Sequence, residues 1–160
     1  MTPEIRDFPE TFIVGLEAPF DRHTMAGIVE LWKRLNERMD EIVGATGRAS
    51  YGVSVMKDRA SLSLDYLAAA EVTDLSAVPD GMTGRRIGGG PAAVFTVPLQ
   101  GVSIGDEIGA AYDVIWREWI PGADYLPAGG YDFERYDERF DPATLSGEME
   151  IVIPVKPKDG

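Results

Sequence analysis

Two glutamates near the C-terminal end of the chain stand in segments whose alternation assigns them to strands. In "EMEIVIPVK" (148–156), Met149, Ile151, Ile153 and Val155 share one face. Glu148, Glu150, Val152 and Pro154 share the other, which starts acidic and turns apolar. In "YDFERYDERF" (131–140), Glu134 and Tyr136 share one face and Phe133 and Arg135 the other, so Glu134 points away from the core if Phe133 points into it. A carboxylate among apolar neighbours is partly desolvated, and its pKa rises because burial disfavours the charged form. Such a group can meet a cation or act as a general base toward water. The plainer reading is a solvated glutamate for Glu150 and a cross-strand charge pair for Glu134, and the residues alone do not choose between them.

Aromatic side chains could wall such a site, since each ring face attracts a cation by roughly 0.5–2 kcal/mol. The candidates are Tyr51, Tyr66, Phe95, Tyr112, Trp116 and Trp119, with Tyr136 beside Glu134. Aromatics at regular spacing more often fill a core, and Trp119 lies on the helical stripe of Ile108 and Ile115. Trp116 is one residue off that stripe, which suits a pocket edge, while Trp32 reads as core. Met56 and Met82 read as packing residues.

Other chemistries find little support. The chain has no cysteine, which excludes a thiolate metal site, a disulfide and a Cys nucleophile. His23 is the only histidine; "HTMAG" offers neither metal-ligand spacing nor a triad motif, and His23 reads as a surface residue. "IGGGP" (87–91) lacks the Lys-Ser/Thr of a phosphate loop and does not open a helix, so a hairpin turn is expected there. No metal and no cofactor are expected.

These residues must be positioned by strands and helices. "DFPETFIVGLEAPF" (7–20) alternates as a strand. Ile28, Leu31, Trp32, Leu35, Met39, Ile42 and Val43 then recur at helical spacing, with Asp21 or Thr24 as cap and Gly44 past the end. "YGVSVMKD" (51–58) and "SLSLDYLAAAEV" (61–72) form a hairpin. The second half repeats the order. "TGRRI" (83–87) and "AAVFTV" (92–97) are short strands, and "VSIGDEIGAAYDVIWREWIP" (102–121) is a helix capped by Ser103. Segments 131–140 and 148–156 are the last two strands. The fold class is therefore α+β: two strand–helix–strand–strand units forming one antiparallel sheet with two helices on one face. The 160 residues make one domain.

The ordered set "YGVSVMKD", "LDYLAAAEV", "PDGM", "AVFTV", "YDVIWREWIP", "FERYDERFD" and "EMEIVIPVK" resembles the GyrI-like small-molecule-binding domains, over about residues 12–156. These are related to the effector-binding domains of AraC-type and MerR-type transcription regulators. The resemblance implies a pseudo-twofold ligand pocket lined by aromatics and at least one carboxylate, and places a carboxylate at Glu150 or Glu134. It implies multidrug binding, with hydrophobic, possibly cationic ligands, in drug or toxin sensing or protection. The alternative it implies is a cyclopropanoid hydrolase that detoxifies DNA-alkylating natural products, with Glu150 or Glu134 catalytic. The sequence departs from the family at Ala92, where a Tyr is frequent, and at Ala69 and Ala70, where Gly is common; one aromatic wall is expected to be missing. No DNA-binding helix pair precedes the domain, so any regulation is expected to run through a protein partner. Glu150→Gln is expected to weaken cation binding at little cost in stability.

The net charge of −12 repels phosphate backbones and attracts cations, so direct nucleic-acid binding is not expected. No apolar run approaches the roughly 20 residues that cross a bilayer. A soluble cytoplasmic protein with no membrane contact is expected.

Overall fold

A computed structural model describes residues 1–159. Its sheet is antiparallel throughout. The first unit contributes β2 (Thr11–Phe20), β3 (Ala45–Asp58) and β4 (Ser63–Val72). The second contributes β6 (Gly90–Gln100), β8 (Asp132–Tyr136) and β10 (Ser146–Pro157). Helix α1 (Ile28–Glu37) follows β2, and α2 (Ile104–Val114) follows β6. The main strand order is β1-β6-β10-β8-β3-β4-β2-β5, with β1 (Glu4–Phe8) and β5 (Thr83–Ile87) at the edges. This order mirrors itself about the β3–β8 contact, so each unit presents its second strand to the middle. Short strands β7 (Tyr125–Pro127) and β9 (Phe140–Asp141) add to β10.

Strand alternation feeds separate cores on the two faces. On one face Val14, Leu16, Ala68 and Val72 meet Leu31 and Leu35 of α1. On the same face Phe95, Val97, Met149, Ile151 and Ile153 meet Ala111 of α2 and Ile115. Met149, Ile151, Ile153 and Val155 thus lie beneath a helix, as their alternation predicts. The opposite face has a third core that gathers Phe8 and Ile87 from the two edge strands with Val53, Phe133 and Val152 from the middle. Residues from both ends of an open sheet share one cluster only because the sheet curls into a half-barrel. The far face is closed over apolar side chains, and the open ground lies on the helix side. There α1 sits on β2 and β4 and α2 on β6, and the central pair β3 and β8 lies between them.

Several local expectations change. Strand β1 was not expected; it pairs with β6 and brings Arg6 to the sheet. Segment 83–87 does not form a hairpin with β6 but pairs with β2. "IGGGP" is therefore a crossover from one edge of the sheet to the other half. Gly88 and Gly89 take φ of +77° and +84°, a region glycine enters without Cβ strain. The first helix ends at Glu37, and Val43 is exposed rather than part of its buried stripe. Segment 131–140 is broken after Tyr136, where Asp137 accepts the Arg139 N–H at 3.0 Å and turns the chain. Regular α2 passes at Ile115–Trp119 into a π-helical turn. No helix among the described residues is long and apolar enough to cross a membrane.

Candidate functional site

Register places the two glutamates on opposite faces. Glu134 pairs with Gly52 on β3 and Ile151 on β10, whose side chain packs beneath α2. Its neighbour Arg135 pairs with Tyr51 and Glu150, one residue along each strand and therefore on the far face. Both glutamates are buried, with 7% exposure for Glu134 and 6% for Glu150, but their surroundings differ.

Glu150 is held by arginines. Arg139 lies at 3.2 Å, Arg135 at 3.4 Å and Arg6 at 3.5 Å from its carboxylate oxygens. Arg135 and Arg139 also bind Asp137, at 2.7 and 3.0 Å. Burial works to raise the Asp137 carboxyl, yet the Arg139 hydrogen bonds and the Arg135 charge outweigh it and hold it at about 2. Tyr51 belongs to this far side as well, where its hydroxyl accepts from Arg135 Nε at 3.2 Å. Tyr51 and Glu150 are therefore separated by the sheet from the space between the helices. Ala92 is on the far side too, so the missing aromatic at that position removes no wall between the helices.

Glu134 has hydroxyls instead of arginines. Tyr136 donates to Oε1 at 2.7 Å and Tyr66 donates to the same oxygen at 3.1 Å. Neither of these bonds uses Oε2. Trp32 Nε1 donates to the Tyr66 oxygen at 3.1 Å, and the Trp32 ring stands edge-on to both tyrosines. No ion pair reaches Glu134 among the described residues. Burial pushes its carboxyl up to about 7, against the opposing pull of the tyrosine hydrogen bonds. Asp132, two residues earlier on the same face, is pushed up to about 6, again chiefly by burial. Burial and then the Glu134 charge keep the Tyr66 and Tyr136 phenols well above their usual range, so both stay donors. The Tyr112 hydroxyl, from α2, is buried close to Asp132 and Glu134 without a hydrogen bond of full geometry, and it helps to offset the burial that raises both carboxyls.

A cavity of about 840 Å³ opens between the helices on one side of this cluster. Trp32 and Met39 from the first helical segment, Ile104 from α2, and Tyr136, Phe140 and Leu145 around β8 and β9 supply its apolar lining. Its size and mixed lining suit a small-molecule site. Trp32 and Tyr136 belong to both features, lining the cavity while their hydrogen bonds lead to Glu134. Arg135 and Asp137 also line it, so the cavity extends past the end of β8 to the edge of the Glu150 network. Of its basic residues, Arg48 pairs with Glu71 at 2.9 Å and Arg135 with Asp137, while Lys33 forms no ion pair among the described residues.

The remaining candidates divide between core and rim. Phe95 and Trp119 pack edge-on at 5.2 Å beneath α2 and serve the core. Trp116 is half-buried and lies under the Arg59 guanidinium, 4.3 Å from the ring centre. The helix-side cluster therefore unites Tyr66, Tyr112, Tyr136 and Glu134 from the expected set. Sequence reasoning passed over Trp32, Asp132 and Gly52. Asp132 was legible, since it alternates with Glu134 and Tyr136. Trp32 reads as core because its spacing matches Leu31 and Leu35. Gly52 matters by what it lacks: a Cβ there would collide with the Tyr66 hydroxyl and stand 3.1 Å from Glu134 Oε1.

Comparison with known proteins agrees with this architecture. The regulator BrlR of Pseudomonas aeruginosa is 29% identical over 161 residues, covering 97% of this chain and 56% of BrlR. The chain thus spans about half the length of that relative. The solved structure of SAV2435 bound to tetraphenylphosphonium superposes with a TM-score of 0.72 at 14% identity, covering 98% of this chain and 94% of that one. A hydrolase encoded by lin2189 from Listeria innocua gives a TM-score of 0.51 at 12% identity, with coverage of 97% and 92%. The family model for the GyrI-like small molecule binding domain matches residues 1–156. With a curled sheet, two helices and a cavity between them, this chain belongs to the GyrI-like small molecule binding domain family.

Proposed function

We propose that this domain binds bulky hydrophobic organic cations between its helices, with Glu134 as the carboxylate that meets the charge. The observation that carries the reading is a buried glutamate that no basic side chain among the described residues neutralises, held by two tyrosine hydroxyls on one oxygen. A buried carboxylate in that setting either keeps a proton or takes a cation. Tyr66, Tyr136 and Trp32 supply ring faces and edges around it. A ligand entering from the cavity reaches Glu134 by turning Trp32 or Tyr136 aside. The tetraphenylphosphonium bound by SAV2435 is a ligand of this class. BrlR, a transcriptional regulator, supports a sensing role. The test is a thermal-shift panel of lipophilic cations. Tetraphenylphosphonium is expected to raise the melting temperature of the wild type and to do so much less for Glu134→Gln. No shift with any cation would defeat the reading.

A hydrolytic reading has one observation in its favour. A carboxyl at about 7 between two phenol donors is poised to move a proton near neutrality. Incubation with a cyclopropane-bearing alkylator and mass spectrometry decides it. Ring-opened product above background that disappears in Glu134→Gln would establish catalysis; equal product with and without protein would exclude it.

A further inference from the structure

Trp116 already carries a cation over its ring, and it comes from the chain itself. Arg59 sits at the tip of the β3–β4 hairpin, in the first unit, while Trp116 belongs to the π-helical turn after α2, in the second. The guanidinium lies over the indole at 4.3 Å and forms none of the ion pairs or hydrogen bonds found among the described residues. The tip is built to hold it there: Asp58 accepts the Ala60 N–H at 3.1 Å and the Ser61 hydroxyl at 3.0 Å, and Arg22 donates to the Ala60 carbonyl at 2.7 Å. Asp132 feels the Arg59 charge, and Tyr112, one helical turn before Trp116, brings its hydroxyl close to Asp132 and Glu134. An aromatic face, a carboxylate and a hydroxyl are the parts of a cation site.

We propose that Trp116, Asp132 and Tyr112 form a second organic-cation subsite, separate from Glu134, which Arg59 occupies as a tethered stand-in until a ligand cation displaces it. A strand rises about 3.3 Å per residue, so Asp132 and Glu134 lie roughly 6.6 Å apart along β8, and one bulky cation meets one carboxylate or the other. Burial works against ionised Asp132, the Tyr112 hydroxyl and then the Arg59 charge favour it, and an incoming cation would take over the role of Arg59. A lipophilic cation must compete with Arg59, which lowers its apparent affinity, so the hairpin tip sets a threshold for ligand. This inference shares with the Glu134 reading only the premise that the groove admits organic cations.

The test uses tetraphenylphosphonium and intrinsic tryptophan fluorescence in a Glu134→Gln background, which separates the two readings. Adding Arg59→Gln is expected to tighten binding about fivefold, the scale of one exposed cation–π contact given up by the competitor. Asp132→Asn or Trp116→Ala is expected to remove that gain. Unchanged affinity after Arg59→Gln, a gain that survives Asp132→Asn, or no binding by the Arg59→Gln, Glu134→Gln protein at millimolar cation would overturn the proposal. Should Glu134→Gln alone bind as well as wild type, the Glu134 reading fails while the Arg59 comparison still judges this one.

Discussion

At the scale of single residues, the two glutamates make opposite demands. The carboxyls of Glu134 and Asp132 are raised to about 7 and about 6, above their ordinary values of 4.5 and 3.8. The folded state therefore binds these protons more tightly than the unfolded state. Stability is fullest below about pH 4 and is lost as pH rises through about 7. For Glu134 the loss is on the order of 3 kcal/mol. Urea denaturation at pH 5 and pH 8 is expected to show the wild type weakening over this interval and Glu134→Gln weakening much less. Asp137 behaves in the opposite sense: its lowered carboxyl contributes above pH 4 and loses that contribution only as pH falls toward 2. Glu150→Gln leaves Arg6, Arg135 and Arg139 short of a partner and is expected to cost about 1–3 kcal/mol, reduced from the fully buried case because the arginines are partly exposed. That expectation reverses the sequence-based one. Alternation identified the face of Glu150, but it could not reveal the three arginines, two of which come from elsewhere in the chain's turns and edge.

At the scale of elements, the site depends on a small residue in a central strand. Gly52 on β3 leaves the room in which Tyr66 reaches across to Glu134. Gly52→Ala is expected to displace the tyrosine, lower stability by about 1–3 kcal/mol and weaken tetraphenylphosphonium binding, as read by urea denaturation and a binding titration on one preparation. Gly52→Ala with unaltered binding would show that the Tyr66 bond is dispensable. The core strands and both helices were legible because period-2 and period-3.6 patterns report which side of an element is buried. β1 and the pairing of β5 were not, because edge partners depend on which strands the curl brings together. The break after Tyr136 was missed because Asp137 ends the strand through its own side chain, against a continuing alternation.

At the scale of the whole molecule, the curl of the sheet decides what each face can do. Closing the far face over its own core leaves the groove over β3 and β8 as the place where apolar surface and an unneutralised carboxylate meet. The proposed site lies on the helix side, where a cavity of about 840 Å³ opens beside the Glu134 cluster. A net charge of −12 adds a long-range attraction for cations, which salt screens. Since ligand charge and proton compete for Glu134, cation binding is expected to strengthen from pH 6 to pH 8 and to release a proton below pH 7. The most direct measurement is calorimetric titration with tetraphenylphosphonium at pH 6.5 in two buffers of different ionisation enthalpy. The wild type and Glu150→Gln are expected to bind with proton release, and Glu134→Gln to bind at least tenfold more weakly with none. Binding lost in Glu150→Gln but kept in Glu134→Gln would contradict the account.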